Sequence, residues 1–215
     1  KRFGRSFKAE GPRNADGIAP AGTEGTSGVA FVLASGWISG GYVVGDSLAH
    51  QITIAPSGSV TGNYTITGTD ADGIAQTETL ATNTTSTVTS TKYWLSVTSI
   101  LAPSGIGAET VTIGWNGVAV SRTIPLDWKL PAFNTSLAVD IAGTINVTVQ
   151  HTFTSVYGQG ETLQPSAFTW FPHATIVSKT ADTDSNYAYP CMATRLLVNS
   201  VSSGGSVVFH VVQGA

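Results

Sequence analysis

Asp70, Asp72 and Gly73, within ITGTDADGIAQTETL, are the residues of this chain whose spacing comes nearest to a metal-binding loop. A helix-flanked calcium loop places oxygen ligands at every second position, a glycine at the sharp turn and a bidentate glutamate at its close. The two aspartates have that mutual spacing, but a third oxygen ligand is missing before Gly73 and the flanks are not helical. Tyr64, Ile66 and Ile74 instead alternate with threonines, the period of a half-buried strand. Asp72-Gly73 supplies the positive backbone angles of a tight hairpin. The sequence therefore predicts a hairpin tip here. Asp182 and Asp184, in TADTDSN, offer calcium the same kind of oxygens and are read in the same way, as a polar turn.

Other chemistry needs groups that the sequence does not bring together. A serine nucleophile requires a histidine and an orienting carboxylate, and G-x-S-x-G is absent. His50, His151, His173 and His210 are scattered, with no carboxylate at a telling spacing; His151 and His210 lie in β-patterned runs, where a hydrogen-bonded or interface histidine is the commoner arrangement. Zinc would need several of these side chains to converge. Cys191 is the only cysteine, which excludes an internal disulfide and a thiolate cluster. The chain is read as a non-enzyme, with no cofactor and no metal.

Aromatic residues are the remaining candidates. Trp128 and Phe133, then Trp170 and Phe171, then Tyr187 and Tyr189 fall in loop-rich stretches of the C-terminal half. Rings on sandwich loops either stack on the sugars of a host glycan or receptor or fill a subunit interface, where aromatics are enriched. Pro125, Pro131 and Pro172 favour the fixed packing of the second arrangement.

The elements that must position these residues are strands. Only 11% of the 215 residues are charged, 24 are glycine and 9 proline, and Thr, Ser and Val dominate the rest. No sustained helical period occurs, and short alternating runs are separated by Gly, Pro, Asn and Asp, as in a sandwich or barrel. Strands are expected at 29–33, 37–44, 51–55, 62–69, 73–80, 86–91, 93–100, 110–115, 135–141, 144–154, 166–171, 188–198 and 206–212. In the clearest, Ile145, Val147 and Val149 alternate with Asn146, Thr148 and Gln150. The predicted fold is all-β: two β-sandwich or jelly-roll-like halves, 29–120 and 121–215, behind an extended basic Gly/Pro-rich arm, 1–28.

Charge sets that arm apart. Lys1, Arg2, Arg5, Lys8 and Arg13 against Glu10 give the first thirteen residues a net charge of +4, and the remaining residues carry −7. A segment so rich in glycine, proline and charge does not fold alone; it reads as a strap that orders on an acidic neighbour, or else as a solvated tail. Nucleic acid is not expected, because no basic groove continues the contact. No run of apolar residues is long enough for a membrane helix, and the first residues lack the apolar core of a secretory signal, so neither membrane insertion nor export is expected.

The succession TGTDADGIAQTETL, TKYWLSVTSI, IPLDWKLPAFNTSLAVDIAGTINVTVQHTF, TWFPHAT and NYAYPCMATRLLVNSVSSGGSVVFHVVQGA, together with the basic start leading into NADGIA, resembles a family of structural (virion) proteins of tailed bacteriophages of about this length. What the resemblance implies is a virion component without catalytic activity, a capsid decoration or cement protein or a tail protein. Its partners would be other phage structural proteins and copies of itself, and it would be assembled in the bacterial cytoplasm. The family's phrases are strands and turns and carry no active-site motif.

Overall fold

The computed structural model describes residues 4–5, 8–10, 14–33, 46–82, 85–130, 133–155, 168–202 and 204–214. Every regular element among them is a strand, and the all-β class holds. In chain order, β1 is Gly4–Arg5, β2 Lys8–Glu10 and β3 Asn14–Glu24. Next come β4 (Ala49–Pro56), β5 (Gly62–Thr69), β6 (Ala75–Thr82), β7 (Val88–Thr89), β8 (Ser96–Leu101) and β9 (Thr110–Val120). The last are β10 (Ile124–Pro125), β11 (Thr135–Ala142), β12 (Ile145–Thr152), β13 (Phe171–Pro172), β14 (Thr183–Tyr187), β15 (Ala193–Val201) and β16 (Ser206–Gln213). The chain forms two compact units, one of Arg13–Gly117 and one of Val118–Ala215 with Lys1–Pro12.

In the first unit the antiparallel sheet β6-β5-β8 faces a second layer in which β3 and β4 flank β9 and β7 pairs with β4. Tyr64 and Ile66 of β5, Val97 and Ile100 of β8, Ile52 and Ile54 of β4, and Val111 and Ile113 of β9 belong to one buried cluster, so this half is a two-layer sandwich. The β5–β6 hairpin is closed where Asp72-Gly73 predicts. Thr69 pairs with Ala75, Gly73 takes a φ of 80°, and Asp70 Oδ1 accepts from the amides of Asp72 and Ile74 at 2.9 Å each. Burial, partly offset by those amides, raises the Asp70 pKa. The register of β5 on β8 shifts at Thr67/Gly68, and a Cβ on Gly68 would collide with the Ser96 carbonyl oxygen.

In the second unit β16 lies between β11 and the two short strands β1 and β2, with β14 on the far side of β11. Its other sheet runs β13-β12-β15, joined by β10 and the end of β9 on β15. On β16 the alternate residues Val207, Phe209 and Val211 are buried; on β12 Ile145, Val147, Val149 and His151 are buried on one face, and Thr148 and Thr152 on the other. The Tyr187 hydroxyl of β14 meets Thr194 Oγ1 of β15 at 3.4 Å, which links the two sheets.

Several expectations need correction. Residues 14–24, expected as part of the extended arm, are strand β3; two register shifts against β9, between Asn14 and Ala19 and between Ala19 and Thr23, break the ladder around Gly17, Pro20 and Gly22. The segment 1–28 is thus divided, since Lys1–Pro12 groups with the second unit, where β1 and β2 pair with β16. Asp184 is not in a turn but in β14, and Asp182 just before it accepts the Ile141 amide at 2.6 Å. The expected strand at 29–33 is only a bridge of Ala30 to Leu101. The expected strand at 37–44 lies outside the described residues, as do 166 and 167; the rest of the expected strand at 166–171 is irregular over 168–170, and only Phe171 belongs to a strand, β13.

Candidate functional site

Strand β12 carries its buried face one residue pair too far. Ile145, Val147, Val149 and His151 face inward, and Phe153, next in the same alternation, falls beyond the strand's end, where it is 53% exposed. β13 pairs with that end of β12, setting Phe171 opposite His151. The chain leaving β14 brings Tyr187 and then Tyr189 to the same place. His151 becomes the hub of a ring cluster, with centroids 5.1 Å from Phe153, 6.0 Å from Phe171, 5.1 Å from Tyr187 and 5.7 Å from Tyr189. Phe153 in turn lies 5.8 Å from Phe171 and 6.1 Å from Tyr189.

Exposure divides this cluster into a floor and a surface. Tyr187, His151 and His173 are buried, whereas Phe171 and Tyr189 are each 44% exposed, like Phe153. The floor is fixed by polar contacts. His173 Nδ1 accepts from the amides of Thr175 and Ile176 at 3.0 and 3.1 Å, which puts its ring proton on Nε2, toward the Asn186 carbonyl oxygen at 3.3 Å. His151 Nδ1 is buried without a hydrogen-bond partner among the described residues. Burial, reinforced by the nearby His173, lowers the His151 pKa and keeps its ring neutral near pH 7. Burial pushes the Cys191 thiol up to about 12, so it is not a nucleophile near neutral pH.

Trp170, next in the chain to Phe171, has a different partner. Its ring packs edge-on to Phe168 at 5.9 Å and carries the Arg195 guanidinium 4.2 Å from its centroid. Arg195 Nε donates to Gln150 Oε1 at 2.8 Å, which holds the cation in place. Of the aromatics singled out from the sequence, Phe171, Tyr187 and Tyr189 are brought together, and Tyr187 proves to be core. Trp128 is exposed in the turn after β10 with Lys129 Nζ 5.3 Å from its centroid, and Phe133 is half-buried ahead of β11. Of the basic residues, Arg5 and Lys8 fall on β1 and β2, while Lys1, Arg2 and Arg13 lie outside the described residues.

The sequence reading missed Phe153 and His151 as parts of this face; the available signal was an aromatic continuing an apolar alternation past its strand. It also missed the carboxylates beside two histidines. His50 Nε2 lies 3.1 Å from Asp46 Oδ2, both buried, and His210 Nε2 lies 2.8 Å from Asp140 Oδ2 on the open face of the β11–β16 ladder. The second pair adjoins a shallow depression of about 430 Å³ lined by Asn134, Ser136, Asp184, Asn186 and His210. Among the described residues no group of three or more His, Cys, Asp or Glu is placed to hold a metal ion. No protein-family model matches the chain, and no curated protein does.

Proposed function

We propose that this chain is a non-enzymatic structural component of a tailed-phage virion, present in many copies as a capsid decoration or cement subunit or as part of the tail, and that it meets its neighbours through the aromatic face. The observation that carries the reading is the contiguous set of Phe153, Phe171 and Tyr189, held open to solvent over a buried, neutral histidine. Exposed aromatics gathered into one patch mark a contact surface. Their tilted and edge-on packing leaves no flat shared platform of the kind a sugar ring stacks on. The resemblance of the strand-and-turn phrases to virion proteins supplies the setting.

Quantitative mass spectrometry of purified particles tests this. Hundreds of copies per particle would indicate the capsid surface, and a small multiple of a tail ring's symmetry would indicate the tail. Complete absence from the particle overturns the proposal. A second reading, a glycan- or receptor-binding module at the tail periphery, is favoured by the Trp170 ring, which Arg195 holds in a fixed orientation beside Gln150. Glycan binding that is lost in Trp170→Ala would promote it.

A further inference from the structure

The sheet β16-β11-β14 buries one face and opens the other. Alternation turns Leu137 and Val139 of β11 and Val207, Phe209 and Val211 of β16 into the core. On the open face stand Ser136, Ala138 and Asp140 of β11, His210 and Val212 of β16, and Asp184 and Asn186 of β14. Register sets them in rows: Ala138 lies between Asp184 and His210, and Ser136 between Asn186 and Val212. The short side chains sit on the central strand and the longer ones on its neighbours, which hollows the face along β11. This hollow is the depression of about 430 Å³ beside His210.

Its polar groups are held at both ends. Asp140 fixes the His210 ring, with Nε2 2.8 Å from Oδ2. At the other end Asn186 Nδ2 donates to Asn134 Oδ1 at 3.4 Å, which leaves the Asn186 amide oxygen and the Asn134 amide nitrogen for a ligand. Ser136 and Asp184, both exposed, add a hydroxyl and a carboxylate. Donors and acceptors therefore share one concave surface, as a ligand made of hydroxyl groups requires, since each hydroxyl both donates and accepts. Val212, 41% exposed, lines the same hollow and offers an apolar wall to the C–H side of a sugar ring. Among the described residues no lysine or arginine lines it, whereas Asp184 does and Asp140 adjoins it. Two carboxylates repel phosphate, sulfate and sugar acids.

We propose that this depression binds a neutral saccharide. The site goes beyond the structural reading above and uses none of its rings, because Phe153, Phe171, Tyr189 and Trp170 do not line it. His151 and Arg195, which organise those rings, belong to β12 and β15 of the unit's other sheet.

The whole chain is applied near neutral pH to an array of neutral and acidic oligosaccharides, and the strongest neutral binder is titrated by calorimetry. Neutral glycans should bind and acidic ones should not. Ala138→Leu, which fills the hollow and alters no polar group, should abolish binding, and Asp184→Ala should weaken it about tenfold or more. Ser136→Val blocks the same floor and replaces Ala138→Leu if that variant does not fold. The proposal is overturned if no glycan binds, if acidic glycans bind as well as neutral ones, or if binding survives undiminished in either the blocking variant or Asp184→Ala. Binding that survives the block and is lost in Trp170→Ala also overturns it and moves the glycan to Trp170. Saccharide binding by a protein absent from phage particles would sink the virion reading and leave this site standing; an abundant virion protein that binds no saccharide would do the reverse.

Discussion

The two units put their aromatic rings in opposite places. Among the described residues of Arg13–Gly117, Phe31, Tyr64, Trp94 and Trp115 are buried and Tyr93 is half-buried, and the large apolar side chains left exposed are aliphatic: Val29, Val32 and Leu101. Among the described aromatics of the second unit only Tyr187 and Phe209 are buried to the same degree, while Trp128, Phe153, Phe171 and Tyr189 stand open. The same residue types serve cohesion in one half and contact in the other. Composition is blind to that division, because it depends on where a strand ends and not on what it contains.

Substitutions should separate the two roles, and the largest loss is expected in the first unit. Trp94→Ala, at a fully buried site, should lower unfolding free energy by about 3–5 kcal/mol in urea titration. An equal loss from Phe153→Ala would abolish the contrast. Glu78→Gln comes next. Its buried carboxylate accepts from the Thr91 amide and hydroxyl at 2.7 Å each and from the Lys92 amide at 3.2 Å, and the amide replacement sets a donor against donors, which should lower stability by about 1–3 kcal/mol.

A smaller effect is expected from the hub of the aromatic face. The folded state lowers the His151 pKa, so on acidification the unfolded chain binds that proton first. The stability His151 contributes is fully present above its unfolded pKa and is lost as pH falls below the ordinary imidazole range. Melting temperature followed between about pH 7.5 and 5 should fall less steeply in His151→Phe than in the parent; parallel slopes would show that the buried imidazole does not govern the face. The smallest stability change, within about 0.5 kcal/mol for each substitution, is expected for Phe153→Ser and Phe171→Ser. If their rings serve contact, the double variant should keep its melting temperature but lose incorporation into particles or self-association by light scattering.

Strands with clean alternation were legible residue by residue. β5 occupies the expected 62–69, and the Asp72-Gly73 turn fixes its register with β6, because both signals are local in the chain. β3 and β14 were not legible. Asn14–Glu24 contains the residues that ordinarily end strands, and only its bulged pairing with β9 makes it one. Thr183–Tyr187 is mostly polar, as suits a sheet-edge strand beside β11 with one face in solvent. The candidate face was half visible. Phe171, Tyr187 and Tyr189 stood out by type, but the depth of Tyr187 and the position of Phe153 depend on how β12, β13 and β14 meet, which local spacing does not encode.

The antiparallel course of the arm along β16 has a mechanical consequence. With Gly4 opposite Val212, a load that lifts the front of the arm away from the sheet meets one rung at a time, and the ladder opens like a zipper. A load drawn along the strand axis must break the rungs together. The same few backbone bonds therefore form a weak joint against peeling and a strong one against sliding, and the direction of strain decides which of the two is felt.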